Sequence, residues 1–260
     1  NNGWSVIPLA AKRLQRWVMA ENILDRGIKS VAVTYTNNDY GKGLADSFAA
    51  AYAERGGTVT INAAHEDGKA DYTAEVGALA AAGGDALVVA GYIGQGGSGI
   101  LRASLDTGAF DTFVFPDGMV GQELEANFGP EINGSFGQNP ASAGEGAGIF
   151  HGMATAGGFD GTSPFSAESY DAAALIVLAM QAAGSTDPKV YKDKILDVAN
   201  GPGERILPGE LAKALEILKA GGEVDYDGAT GVELVNGREA AGSYREIEFV
   251  DGKLNVIRFR

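Results

Sequence analysis

Three glycines, Gly94, Gly96 and Gly99, stand in a G-x-G-x-x-G spacing within ALVVAGYIGQGGSGILRASL (residues 86–105), after a β-like run and before a helix-like one. In a dinucleotide-binding loop the first glycine lets the strand turn, the second admits the pyrophosphate and the third packs the helix on the sheet. An acid at the end of the next strand then holds the ribose. Asp117, closing TFVFPD (Thr112 to Asp117), supplies such an acid. Two features count against this chemistry. Gly91-Tyr92-Ile93 separates Gly94 from the strand and puts a bulky aromatic where phosphates need bare backbone. The loop is also the third βα connection, whereas the fingerprint normally opens a nucleotide domain. A nucleotide-dependent oxidoreductase using Gly94 to Gly99 is one alternative, and a βα turn with packing glycines is another.

Other chemistry has less to work with. The chain has no cysteine, which excludes thiolate catalysis, disulfides and Cys-based zinc sites. His65 and His151 lie far apart without metal-ligand spacing and read as surface histidines. Asp225 and Asp227 resemble part of a calcium loop but lack its remaining ligands. There is no G-x-S-x-G elbow. The expectation is a protein without catalytic machinery, metal or cofactor. Lys plus Arg number 20 against 34 Asp plus Glu, a net charge of -14, so no basic stripe is available for nucleic acid.

The elements that position these residues follow a simple alternation. SVAVTYT (Ser30 to Thr36), TVTINAA (Thr58 to Ala64), ALVVAG (Ala86 to Gly91) and TFVFPD read as strands. Helices are expected over Leu44 to Gly57, near Asp71 to Ala82 and over Ile100 to Thr107. Strand and helix in alternation imply right-handed crossovers and a mostly parallel sheet. Ligands of such sheets lie at the carboxyl ends of the strands, which selects Asn37 to Tyr40, Gly91 to Gly97 and Pro116 to Gly118. Beyond Gly134 a Gly- and Ala-rich segment leads to a helix after Pro164, with Ser166 or Ser169 as cap and Gly184 as stop. Helical stretches around Lys189 to Ala199 and Glu210 to Ala220 follow. YREIEFVDGKLNVIRF reads as a hairpin turning at Asp251-Gly252. The longest apolar run, Ala172 to Ala183, is too short to cross a bilayer.

Read together, five stretches carry a resemblance: TNNDYGKGLADSF (36–48), AGYIGQGGSGILRASLDTG (90–108), FPDG (115–118), SPFSAESYDAA (163–173) and DYDGATGVELV (225–235). In order and spacing they resemble the type I periplasmic solute-binding proteins of ABC importers, in the branched-chain amino acid class, from about Met19 to the C-terminus. The resemblance implies an α/β fold with a flavodoxin-like parallel-sheet lobe and a second, partial lobe. Residues 1–140 would form the ligand-binding lobe, 141–224 the helical remainder of the other lobe, and 225–260 the strands and hairpin returning across the hinge. It further implies that Asp117 pairs with a ligand ammonium, Tyr40 and Tyr92 line the cleft, and Phe165 packs on the ligand's aliphatic part. Read without it, the tyrosines are strand-end residues with hydrated hydroxyls, Asp117 opens an ordinary D-G turn, and Phe165 is a core aromatic. The Y-D-A-A run, with Tyr170 and Asp171, reads as hinge and helix start.

The implied partners are a small amino acid or related amine and a membrane permease, and the implied location is the periplasm. A ligand-sensing domain on the same fold is a further alternative. The sequence departs from the family at its start. About thirty residues precede SVAVTYT where members carry the opening half of the first lobe, and NNGWSVIPLAAKRLQRWV replaces an R-T-x-P-S-D-like stretch with its Gln-Gly pair. Leu14, Trp17 and Val18 keep an apolar stripe at helical spacing. The expectation is weak or no amino acid binding by the isolated chain, or a second chain supplying the missing lobe.

Overall fold

The computed structural model describes residues 11–235, 239–240 and 242–260, so Asn1–Ala10 of the opening stretch lie outside the described residues. In chain order the first elements are α1 (Ala11–Asp25), β1 (Ser30–Thr36), α2 (Asp39–Glu54), β2 (Thr58–His65), α3 (Thr73–Ala82), β3 (Ala86–Ala90) and α4 (Gly96–Thr107). Next come β4 (Phe113–Phe115), α5 (Gln122–Phe128), β5 (Phe136–Pro140), α6 (Glu145–Ala156), α7 (Ser166–Ala183), α8 (Pro188–Tyr191) and α9 (Ile195–Ala199). β6 (Glu204–Ile206), α10 (Leu211–Lys219), β7 (Val224–Tyr226), β8 (Leu234–Val235), β9 (Glu239–Ala240), β10 (Tyr244–Val250) and β11 (Lys253–Phe259) complete the chain. These elements fall into two compact units, one of residues 12–139 with 244–260 and one of residues 140–243.

The first unit is a three-layer α/β structure, the class expected from the alternation. Its sheet runs β2-β1-β3-β4-β5-β10-β11. β1 pairs in parallel with β2 and β3, β3 with β4, and β4 with β5, while β10 and β11 form the antiparallel hairpin. β3 and β4, in the middle of the sheet, are continuous apolar runs because both faces are covered, whereas β2 at the edge is largely half-exposed or exposed. Ala86, Val88 and Ala90 of β3 face Met19 and Ile23 of α1 and Leu44, Phe48 and Tyr52 of α2. Leu87 and Val89 face the opposite layer, with Val76 and Leu79 of α3, Ile100 and Leu101 of α4, and Leu124 and Phe128 of α5. The hairpin turns at Asp251 and Gly252, both at positive φ (53° and 73°), as a two-residue type I′ loop requires.

Two helices start earlier than the sequence indicates. α2 begins at Asp39, where the Asn38 side chain accepts the Gly41 amide, and α4 begins at Gly96, inside the glycine loop. The second unit gathers α7, α9, α10, β6 and β7 around Leu175, Leu178, Ile195, Val198, Ile206, Val224 and Tyr226. α7 starts at Ser166 without either expected serine cap, because Phe165 before it adopts the left-handed conformation. Asp171 does not open its helix: it sits in the second turn of α7, fully buried. Its carboxylate accepts from Tyr226 Oη (2.8 Å), the Ala229 and Thr230 amides (2.8 Å each) and Thr230 Oγ1 (2.7 Å), pinning the 226–230 loop. Among the described residues no helix is long and apolar enough to cross a membrane.

Candidate functional site

The strand order 2-1-3-4-5 reverses between β1 and β3, so the chain leaves these neighbours toward opposite faces and opens a crevice at their carboxyl ends. Tyr40 leaves from β1 in the first turn of α2, Tyr92 follows β3, and Asp117 follows β4. Their side chains meet. The Tyr40 and Tyr92 rings stack at 5.0 Å with 28° between planes. Tyr40 Oη donates to Asp117 Oδ1 at 2.8 Å and accepts the Gly118 amide at 3.2 Å. Burial, and then the neighbouring Asp117 carboxylate, hold the Tyr40 phenol far above the usual tyrosine range, so it stays a donor. A backbone bond from Ile93 N to Gly118 O (3.1 Å) ties the two loops together.

One member of this cluster was not selected by sequence reasoning. Gln15 of α1, 2% exposed, donates from Nε2 to Asp117 Oδ1 at 2.6 Å. The signal was present, since Gln15 shares one helix face with Val18, Met19 and Asn22, all buried, at i, i+3, i+4 and i+7. A glutamine on a buried stripe requires a polar partner. Phe165 lies in the other unit, 40% exposed and at φ 65°.

The glycine loop does different work from a nucleotide fingerprint. Gly96, Gly97 and Gly99 are residues of α4, and the Gly96 amide at its start donates to Asp67 Oδ1 at 2.9 Å. A pyrophosphate at this helix end would face the chain's own carboxylate. A side chain at Gly99 would run into the Tyr72 ring, and one at Gly96 into Asp67 Oδ1 and His65 Cδ2 at 2.7 Å each, so these glycines serve close packing. His65 departs from its surface reading. It is 1% exposed, with Nδ1 2.8 Å from Thr34 Oγ1 and its ring edge-on to Tyr72. Burial lowers its pKa, against the weaker opposing pull of Asp67, Glu75 and Glu66. Among the described residues no group of three or more His, Asp or Glu is placed to hold a metal ion.

A family model described as periplasmic binding protein matches residues 2–199. The chain belongs to the periplasmic binding protein family. Among its curated relatives, the Leu/Ile/Val-binding protein homolog 1 of Brucella melitensis is 30% identical over 189 residues, 70% of this chain and 48% of that protein. The chemotactic signal transduction system substrate-binding protein BasB of Halobacterium salinarum is 32% identical over 94 residues, 36% of this chain and 23% of that protein. The chain thus aligns with no more than about half the length of these relatives, 48% and 23%. Among solved structures, the leucine binding protein LivK of Thermotoga maritima superposes with a TM-score of 0.74 at 20% identity, over 95% of this chain and 65% of that one. A solute-binding protein of an R. palustris ABC transporter, in complex with benzoate, gives 0.67 at 14% identity, over 96% and 63%. Such likenesses establish the type I periplasmic binding protein fold, and the two named ligands differ in the charge they carry at neutral pH.

Proposed function

We propose that this periplasmic binding protein captures a small amino acid or related amine-bearing ligand, without chemical change, for the permease of an ABC importer, and that it does so in the periplasm. The observation that carries the reading is Asp117: a carboxylate at the carboxyl end of β4, beside the two stacked tyrosines that follow β1 and β3, bound by neutral donors and by no cation among the described residues. A desolvated ammonium needs such a carboxylate, because an unpaired charge costs several kcal/mol. The tyrosine faces add apolar area and cation-π attraction. An organic anion such as benzoate would be repelled there.

Calorimetric titration of the wild type and Asp117→Ala with L-leucine and with benzoate tests this. Hydrogen bonds to charged groups are worth about 1.5–3 kcal/mol, so Asp117→Ala is expected to weaken leucine by about 10- to 150-fold. Benzoate binding in the wild type, or leucine binding indifferent to Asp117→Ala, overturns the reading. Phe165 is proposed as the contact of the ligand's aliphatic part. Phe165→Ala is then expected to weaken leucine more than alanine, in proportion to the apolar area lost. The likeness to BasB favours a second reading, a sensing receptor on the same fold, which shares the ligand chemistry and differs in its membrane partner.

A further inference from the structure

Both side chains that reach the Asp117 carboxylate end on one oxygen. Gln15 Nε2 lies 2.6 Å and Tyr40 Oη 2.8 Å from Oδ1, and among the described residues no donor reaches Oδ2. A carboxylate oxygen has two lone pairs, so Oδ1 is saturated by the protein while Oδ2 keeps its full capacity. The arrangement is held in place, since Gln15 is buried on α1.

We propose that Gln15 is a specificity-determining residue, one that with Tyr40 turns Asp117 into a one-oxygen acceptor suited to a ligand ammonium and closed to the forked grip of a guanidinium or amidinium. The inference rests on the reading of Asp117 as the ligand's carboxylate partner. An ammonium is a compact charge whose donors rotate to suit a single acceptor. A guanidinium binds best through two parallel N–H···O bonds, one to each carboxylate oxygen, and here the second would be a third donor on Oδ1. Removing Gln15 leaves Tyr40 on Oδ1 with one lone pair returned, enough for the fork to form.

The test compares L-leucine with its α-guanidino analogue, which keeps the side chain and carboxylate and replaces only the ammonium. Calorimetry on the wild type, Gln15→Met and Gln15→Leu supplies affinities, and thermal melts show that each variant is folded. In the wild type the analogue is expected to bind at least about tenfold more weakly, the scale of one lost charge-assisted bond. In both variants the gap is expected to close to within about threefold, chiefly because the analogue gains. A wild-type protein that binds both probes equally, or a gap that survives both substitutions, overturns the inference and leaves the amine reading standing. A wild-type protein that binds neither probe overturns the amine reading and the inference together.

Discussion

Gly118 closes the tyrosine–aspartate cluster. A Cβ there would stand 2.6 Å from the Gly91 carbonyl oxygen and 2.9 Å from Tyr40 Oη, so two loops and one hydroxyl would have to move. Overpacking of this kind costs about 1–3 kcal/mol. Gly118→Ala is expected to lower the urea midpoint accordingly and to weaken any ligand held by Asp117; an unchanged midpoint would show that the loops yield freely. His65 makes a pH prediction. Its folded pKa lies below the ordinary 6.5 because burial disfavours the charged ring. Between the two values the unfolded chain binds a proton that the folded chain refuses, so stability is complete above 6.5 and falls as pH drops below it, by up to about 1.4 kcal/mol per pH unit. Urea midpoints at a series of pH values from about 5 to 7.5 should slope more steeply in the wild type than in His65→Gln; equal slopes would mean that His65 contributes nothing in this window. Asp117 and the tyrosines were legible in the sequence because they follow strands. His65 was not, because it ends its strand one residue past the apolar run, and Gln15 was legible only as a polar residue on a helix stripe, its partner Asp117 lying far away in the sequence.

At the scale of elements, Asp67 joins three of them. Its carboxylate accepts from Thr36 Oγ1 (2.6 Å) at the end of β1 and from the Gly96 amide (2.9 Å) at the start of α4, and it lies in the turn after β2. Loss of a capping side chain costs about 0.5–2 kcal/mol, so Asp67→Ala should destabilise by that amount and speed hydrogen exchange at the first amides of α4. Asp67→Asn is expected to keep most of both, since its Oδ1 accepts from Gly96 while its Nδ2 donates to Thr36. Equal damage from Asn and Ala would show that charge, not the bridging bonds, sets this helix start. The same bridge explains why the start of α4 was misread. Glycine has poor intrinsic helix propensity, so Gly96-Gly97-Ser98-Gly99 looks like a loop, and only the neighbours that press on these backbones decide otherwise. β3 and β4 carried no such ambiguity, being buried and uniformly apolar, whereas β5 is buried but holds Gly137, Gln138 and Asn139 and so did not read as a strand. β6 and β7, three residues each, are too short to show alternation, and their pairing is fixed by the fold around Asp171 and Tyr226.

Across the whole molecule the decisive quantity is charge, with 34 acidic residues against 20 basic ones and a net of -14. Excess charge of one sign repels itself in the compact state more than in the expanded one. Opposing this are ion pairs, most of them exposed, such as Arg102 with Asp106 and Glu131 and Arg205 with Glu145 and Asp227. Exposed pairs contribute about 0–1 kcal/mol each and weaken as salt rises. The pairing of Arg258 and Arg260 with Glu246, which is 1% exposed, is screened less. Raising sodium chloride from about 10 mM to about 150 mM shortens the screening length from about 30 Å to about 8 Å. That range removes the long-range repulsion among the unpaired acids while contacts near 3 Å, such as Arg102 Nε to Asp106 Oδ1 at 3.0 Å, retain much of their attraction. The melting temperature is therefore expected to rise over this interval, by about 2–4 °C for each kcal/mol of repulsion relieved. Chloride is the salt to use, because sulfate stabilises by exclusion from the surface whatever the charge. A melting temperature that falls in chloride would show that the exposed pairs, and not the excess of acid, dominate the electrostatics of this fold.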